Sequence, residues 1–296
     1  MKILLLGSSG QLGSDIIRMN HARHSPLTIT ALNRKNLDVT DKTKVRDTLL
    51  QHSFDVLINC TSYHNTDQVE ANPIIAFDVN AYAIKHLAEI CKEKHARFIQ
   101  ISTDYVFSHH HQPLSESDLP SPLNIYGASK LMGEALAQAV YDDVIIFRVA
   151  SLFGLRGASG KGGNFVETII KNAKAKGQLR VISDQIMSPT STADIAAIIL
   201  KSIQLNLPAG IYHAVNSGYA SWYEYAKTII DYCQIKATVD PIPAKDYPAV
   251  AMRPTYSALN NSKLSGYIGA IPHWQNALKR YLIEKEHIKQ LDMSDA

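Results

Sequence analysis

The sequence predicts a doubly wound α/β fold: a parallel sheet (Rossmann) covered by helices on both faces, followed by a smaller C-terminal α/β lobe. Three observations carry this. Short apolar, β-rich runs alternate with helical stretches through the first half of the chain. The first run, Ile3-Leu4-Leu5-Leu6, leads into Gly7-Ser-Ser-Gly10-Gln-Leu-Gly13 and then into a helix-like segment, the strand–turn–helix context of a dinucleotide-binding turn. After Val149 the alternation changes character.

Taken in order, strands are expected at Lys2–Leu6, Leu27–Thr30, Val56–Asn59, Phe98–Ser102 and Val144–Val149, with helices beginning near Gln11, Lys42, Pro73 and Ser121. From Pro73 to Lys94, apolar residues recur at Ile75, Phe77, Val79, Ala83, Leu87, Ala88 and Ile90, close to the helical period. Pro120 and Pro122 precede the Tyr126 segment as helix-start signals. Beyond Val149, a Gly/Ser/Lys-rich loop from Gly154 to Gly163 leads into an amphipathic stretch at Phe165–Ala175. A strand-like Leu179–Ile182, a helical Asp194–Leu200, an extended Gly210–Val215 and a helical Tyr223–Tyr232 follow. Pro241, Pro243, Pro248 and Pro254 make the next region loop-rich, and the charged tail after Glu284 is expected to fray. Residues 1–150 thus read as a nucleotide-binding domain and 151–296 as a substrate lobe. Some segments of that lobe are expected to return to the first domain, with the ligand cleft between the two.

Bulk properties exclude several classes. With 19% charged and 46% apolar residues over 296 positions, the chain is neither disordered nor a coiled coil. A net charge of +3 with dispersed basic residues gives no nucleic-acid surface. Cys60, Cys91 and Cys233 lie far apart without a CxxC spacing, as free thiols in a reducing compartment would. Met1-Lys2 passes directly into a short apolar run, and no run reaches transmembrane length, so the cytoplasm is the expected location and no membrane partner is implied.

The Gly7 turn is the more specific of two glycine triplets. Its Gly10 would let the backbone approach a pyrophosphate and its Gly13 would let helix and sheet pack closely. The triplet Gly157, Gly160, Gly163 follows no strand, and Gly160-Lys161 lacks P-loop spacing. NAD-selective sites place a carboxylate roughly 20 residues after the glycines to hold the ribose 2′-hydroxyl. Ile16 to Leu37 contains no acidic residue, and Asn33-Arg34-Lys35 stands there instead. The Arg34 guanidinium suits a 2′-phosphate, which favours NADPH over NADH and leaves mixed use open.

Tyr126-Gly-Ala-Ser-Lys130 places a phenol and an ammonium one helical turn apart, between the strand ending in Ser102-Thr103 and the strand ending at Val149. A free phenol titrates near pKa 10, too high for efficient proton exchange at neutral pH, and a neighbouring lysine is expected to favour its phenolate. The ammonium can also bond a nicotinamide ribose, and Thr103 can hold a substrate oxygen. Tyr126, Lys130 and Thr103 are therefore the candidate catalytic residues of a carbonyl-reducing or alcohol-oxidising enzyme. Other Tyr-x-x-x-Lys spacings, at Tyr223/Lys227, Tyr232/Lys236 and Tyr281/Lys285, read as surface pairs on helices. His109-His110-His111 points three ways and forms no metal-ligand spacing, so no metal is expected. Trp222 and Trp274 read as packing residues.

Across nearly the whole chain these residues resemble the extended short-chain dehydrogenase/reductases, and more narrowly the dTDP-4-dehydrorhamnose reductase family. The stretches that carry the resemblance are Gly7–Gly13, Leu37-Asp38-Val39, Asn59–Asp67, Ser102–Phe107 and Pro122 to Glu134. Further along they are Gly163-Asn164-Phe165, Asp184-Gln185, Pro189-Thr190, Tyr212-His213, Ser221-Trp222 and Arg253-Pro254 with Ser257. The resemblance implies NADPH-dependent reduction of the C4 ketone of a dTDP-linked 4-keto-6-deoxysugar, in the synthesis of surface polysaccharide precursors. It implies Tyr126 as proton donor with Lys130 and Thr103 as partners. A cofactor is then lined by Gly7, Gly10, Gln11, Leu12, Arg34, Asp38, Val39, Thr61, Ser62 and Tyr63. Asp104, together with Asn164 and Arg253 of the second lobe, faces a small-molecule sugar nucleotide, and a homodimer is left open. The chain departs from the family at Ser151, where rhamnose-pathway members often carry tryptophan, and at Ser108-His109 after Tyr105-Val-Phe107. These departures put the identity of the sugar in question. Two other readings stand beside this one: a reductase of another 4-keto sugar nucleotide, and a non-catalytic NADP-binding regulatory subunit like the accessory subunit of methionine adenosyltransferase.

Overall fold

A computed structural model describes residues 1–24, 26–108, 111–157 and 163–289. The first half runs β1 (Lys2–Leu6), α1 (Gln11–His21), β2 (Thr28–Leu32), α2 (Lys42–Gln51), β3 (Val56–Asn59), α3 (Thr66–Ala71), α4 (Pro73–Phe77), α5 (Ala83–Glu93), β4 (Arg97–Thr103), α6 (Ile125–Val140) and β5 (Val144–Val149). The second half runs β6 (Leu152–Phe153), α7 (Phe165–Lys176), β7 (Gln178–Ile182), β8 (Ile186–Met187), β9 (Thr190–Ser191), α8 (Thr192–Gln204) and β10 (Gly210–His213). It closes with β11 (Ala220–Ser221), α9 (Trp222–Tyr232), β12 (Thr238–Ile242), α10 (Ser262–Ile268) and α11 (Trp274–Glu284).

Six parallel strands form one sheet in the order β10-β5-β4-β3-β1-β2. Strands β1 and β3 read as nearly unbroken apolar runs because both faces are buried, whereas the edge strand β2 alternates threonine with apolar residues. Ile3, Leu5, Val56 and Ile58 pack against α1, α8 and α10, while Leu4, Leu6 and Leu57 point the other way, toward α2 and α5. The strand order reverses between β1 and β3, which opens a crevice beyond their C-terminal ends. The sixth strand, β10, comes from beyond residue 150 and pairs with β5 from Gly210↔Ile145 to His213↔Arg148. Helices α8 and α10 also return to this sheet, while β6, α7, β7, β8, β11, α9 and α11 build a separate core around Phe153, Val166, Ile170, Tyr225, Trp274 and Leu278.

Several expectations shift by a few residues, each for a physical reason. Helix α6 begins at Ile125 rather than near Ser121, since the Asn124 side chain accepts the Gly127 N–H at 2.8 Å and caps it there. The helical period from Pro73 to Lys94 covers three elements, because a π-helical turn at Asp78–Tyr82 separates α4 from α5. Such a turn admits one extra residue and re-aims the helix beyond it. Pro241, expected in a loop, lies inside β12. That strand pairs with β7 alone, in a two-stranded ribbon, where a missing N–H on the open side costs nothing. The lysine–tyrosine pairs also differ from expectation. Tyr281 is buried on α11 and donates its hydroxyl to Glu167 at 2.6 Å, and Lys236 lies beyond the end of α9. His111 is exposed, whereas His109, His110, Gly160, Lys161 and the tail from residue 290 lie outside the described residues. Among the described residues no helix is long and apolar enough to cross a membrane.

Helix α6 packs tightly on the π turn. A Cβ added at Gly133 would fall inside the van der Waals envelope of the Asn80 carbonyl oxygen. Gly133→Ala is therefore expected to destabilise the fold by about 1–3 kcal/mol through overpacking, read from the midpoint of chemical denaturation. An unchanged midpoint would mean that α6 has slack at this crossing.

Candidate active site

The crevice at the sheet reversal widens into a cavity of about 870 Å³. Every site residue expected from the sequence lies on its wall: Gly7, Gly10, Gln11, Leu12, Arg34, Asp38, Val39, Thr61, Ser62, Tyr63, Thr103, Asp104, Tyr126, Lys130, Asn164 and Arg253.

One end is built by the β1–α1 turn. Gly7 has φ +77°, and a Cβ there would meet the Cys60 carbonyl carbon at 2.9 Å, so the turn needs glycine. Helices α2, α3, α6, α7 and α9 are all capped by side chains, from Asp41, Asn65, Asn124, Asn164 and Ser221. Helix α1 is not: Gly10 offers no side chain, and the first turn holds no acidic residue. Its first N–H groups and positive dipole end are left for an anion. These features fit a dinucleotide pyrophosphate. Nearby, Asn59 holds Thr61 through the Thr61 N–H at 3.1 Å and hydroxyl at 2.7 Å. Asn80, brought in by the π turn, accepts from the Ser62 hydroxyl and the Tyr63 N–H and donates to Ser129 on α6. No sequence signal marked Asn80, since a π turn has no period of its own. Arg34 is 87% exposed and pairs with Asp38 at 3.4 Å.

At the middle of the cavity β4 ends against the start of α6. Burial, helped by the nearby Asp104 charge, pushes the Tyr126 hydroxyl up to about 12, against hydrogen bonds with Thr103 and Ser62 that lower it. The phenol is thus held protonated at neutral pH. Lys130 does not play the part expected of it toward this phenol. Its stem carries Nζ to the Ile101 carbonyl on β4, at 2.6 Å. Burial draws the ammonium down to about 8, with Glu134 and Cys60 opposing. Asp104 is buried too, accepting from Ser257 at 2.6 Å and Thr103 at 3.1 Å. The edge of Tyr105 meets Tyr126, with ring centroids 6.0 Å apart.

The far end belongs to the second lobe. Phe165, Thr168, Trp222 and Tyr225 line it, and Phe165 lies 4.6 Å from Trp222 between ring centroids. Trp222 therefore faces the cavity as well as packing, whereas Trp274 only packs. Asn164 is on the wall, but its amide is spent: the oxygen caps α7, and the nitrogen donates to Gly154 and Tyr281, both at 3.0 Å. Arg253 Nη2 donates to both oxygens of Asp67 at 3.1 Å, and its Nη1 donates to the Ala251 carbonyl at 3.1 Å. Ser151, on the wall beside β6, has φ +40°, rare for a residue with a Cβ. Among the described residues no group of three or more His, Cys, Asp and Glu side chains is arranged to hold a metal ion.

Comparison with known proteins matches the model of one family, the RmlD substrate binding domain, over residues 1–287. The chain is 35% identical to "Spore coat polysaccharide biosynthesis protein SpsK" of Bacillus subtilis, covering 96% of this chain and 98% of that one. It is 32% identical to "dTDP-4-dehydrorhamnose reductase" of Escherichia coli, with the same two coverages. Among solved structures, a dTDP-4-dehydrorhamnose reductase from Clostridium acetobutylicum superposes with a TM-score of 0.90 at 33% identity, covering 97% of this chain and 100% of that one. A second such reductase, from Bacillus anthracis in complex with NADP, gives 0.88 at 33% identity over 96% and 99%.

Burial raises Asp104 from its usual value to about 6, against the hydrogen bonds from Ser257 and Thr103. Between about pH 4 and 6 the folded chain binds a proton that the unfolded chain has released, so this group's contribution to stability falls as pH rises through that window. At about 1.4 kcal/mol per unit the loss is on the order of 3 kcal/mol, since the group is fully buried. Asp104→Asn should flatten the fall between pH 4 and 6 in thermal unfolding. A variant with the wild-type slope would show that Asp104 titrates normally.

Proposed function

The chain belongs to the RmlD substrate binding domain family, and from that membership we propose that it reduces the C4 ketone of a dTDP-linked 4-keto-6-deoxysugar with NADPH. In coarser terms it is an NAD(P)H-dependent oxidoreductase acting on a sugar nucleotide. One observation carries the reading: Thr103, Tyr126 and Lys130 lie on a single cavity wall, between an uncapped helix N-terminus and a lobe that offers Phe165, Trp222, Tyr225 and Arg253. The names of the relatives support the substrate class, and the NADP complex of a neighbour supports the cofactor class. Arg34, with no carboxylate between Ile16 and Leu37 to hold a free 2′-hydroxyl, supports NADPH over NADH.

The residues divide the work. Bound NADPH supplies the hydride. The β1–α1 turn and the α1 N-terminus hold the pyrophosphate, with Thr61, Ser62 and Tyr63 along the other side. Thr103 and Tyr126 receive the ketone oxygen, and Tyr126, protonated at neutral pH, gives it the proton. Loss of that proton leaves a buried phenolate, which the Thr103 and Ser62 hydroxyls stabilise, and the Lys130 ammonium is the donor for the nicotinamide ribose. Arg253, held at the cavity edge by Asp67, is the cation for a diphosphate, which would compete with Asp67 for it. Asn164 sets the shape of the α7 start. A second reading, reduction of another 4-keto sugar nucleotide, is favoured by Ser151, which leaves room where the resemblance places an indole. The third, a regulatory subunit, leaves the intact trio without a task.

Tyr126→Phe is expected to bind NADPH near normally while losing roughly two to four decades of turnover, the range for removal of a positioned acid. Wild-type turnover in that variant would end the proton-donor role. For the substrate, dTDP-sugars should bind in calorimetry, and Arg253→Ala should weaken them by about 1.5–3 kcal/mol, the scale of a charged hydrogen bond. An enzyme that oxidises NADPH with a non-nucleotide carbonyl and binds neither dTDP nor its sugars would overturn the assignment.

A further inference from the structure

Thr103 closes β4, and two neighbours fix its hydroxyl. It accepts the Tyr105 N–H at 3.2 Å and donates its single proton to Asp104 Oδ1 at 3.1 Å. The other oxygen of Asp104 accepts from Ser257 at 2.6 Å. Asp104 is 3% exposed, so both of its oxygens are engaged within the protein although the residue lies on the cavity wall. The cations of that wall are bonded elsewhere: Arg34 to Asp38, Lys130 to the Ile101 carbonyl, and Arg253 to Asp67 and Ala251. The titratable groups that feel the Asp104 charge are the phenols of Tyr105 and of Tyr126 on α6, both kept neutral by burial.

These contacts limit what Thr103 can offer a ligand. A hydroxyl has one proton and two lone pairs. With Asp104 ionised, the proton points at Asp104 and the Tyr105 N–H takes one lone pair, so only a lone pair is left for the cavity. With Asp104 protonated on Oδ1, the oxygen that Ser257 leaves free, the carboxyl donates to Thr103 instead. Both lone pairs are then used, and the Thr103 proton turns to the cavity. A ketone oxygen only accepts, so it can bond Thr103 in the second arrangement alone, whereas an alcohol can donate and suits the first as well. We propose that Asp104 is a positioning residue for Thr103: by holding or releasing a proton it decides whether the Thr103 hydroxyl donates to the substrate oxygen or accepts from it, and the ketone is bound with Asp104 protonated. The inference rests on the proposed carbonyl reduction and deepens it. Burial without a bonded cation supports it, since the carboxyl is raised to about 6, where a bound ketone can draw a proton onto it.

The test uses the complex with oxidised NADP, which has no hydride to give. A dTDP-linked 4-keto-6-deoxysugar is titrated into it at neutral pH, and calorimetry in two buffers of different ionisation enthalpy counts the protons taken up. The wild-type protein is expected to take up close to one proton per site with the keto sugar and none with dTDP-glucose, which carries a hydroxyl at C4. Asp104→Asn places an amide donor against Thr103, as the protonated acid does, and should bind the keto sugar without proton uptake. Uptake by that variant equal to the wild type would overturn the proposal. Turnover gives a second reading. In the wild type, kcat/KM for the keto sugar should fall about tenfold per pH unit above about 6 and level off at the value of Thr103→Val. Asp104→Asn should remove the fall, and Ser257→Ala, which strips a hydrogen bond from the carboxylate, should move it up by about one unit. A merely structural role for Asp104 would lower the whole profile of Asp104→Asn without changing its shape, a result that would also overturn the proposal. Binding of the keto sugar to the wild type without proton uptake overturns this inference alone. No binding of it to any of these proteins would overturn the proposed function, and the inference with it.

Discussion

Four ionisable side chains, Asp104, Lys130, Glu134 and Arg148, are buried where β4, β5 and the first turns of α6 meet. Placing charges out of water is tolerated only if each finds partners, and this requirement fixes much of the surrounding geometry. Glu134 must reach Arg148 across the strand ends, so α6 cannot rotate on the sheet. Arg148 must be flanked by groups that stay neutral. Phe107 supplies one ring face, and His213 supplies another neighbour, drawn down to about 3 by burial and by the Arg148 charge itself. His213 accordingly packs as a neutral ring, with Nδ1 on the Leu114 carbonyl at 3.0 Å. Tyr126 inherits this rigidity, because it rides on the same helix two turns before Glu134.

The framework was legible because it is written locally. Continuous apolar runs bounded by turn residues gave β1, β3 and β5 at their observed limits, since a strand buried on both faces has no polar alternation to blur it. The wall of the cavity was legible for a related reason: Gly7, Thr103 and Tyr126 each sit within a residue or two of a strand end or helix start, where doubly wound sheets gather their ligands. The resemblance to known reductases extended that wall to Asp38, Thr61 and Arg253, which no spacing argument reached.

The features that were not legible depend on contacts made across long stretches of sequence. Asn164 reads as a free amide in the sequence, yet its hydrogen bonds to Tyr281, 117 residues away, and to Gly154 show an amide spent on structure. Arg34 reads as a free cation, and Asp38 pairs with it. Lys130 reads as the partner of Tyr126 by helical spacing, but spacing fixes only the Cβ, and the four-carbon stem delivers Nζ to β4. The π turn was hidden because its insertion of one residue leaves the apolar period of the flanking helices almost intact.

The two sides of the cavity are held with different firmness, and this orders how they can move. Helix α3 sends Asp67 to Arg253 and the Ala251 N–H, while Glu70, one turn on, accepts the Ile125 N–H at the start of α6 at 2.8 Å. Asn124 adds a bond to the Met252 carbonyl at 2.8 Å. Residues 251–253 are thus fastened to the helix that carries Tyr126, but by a few bonds worth on the order of 1 kcal/mol each. One of these is an ion pair in which Asp67 is 41% exposed, the kind that solvent screens to little. On the other side, separating α6 from β5 would strand Glu134 and Arg148 without partners, a cost of about 3–5 kcal/mol. The side that bears Arg253 therefore yields first. An anion that competed with Asp67 for Arg253 would loosen the segment that bears Arg253 and leave Tyr126 where the buried charges hold it.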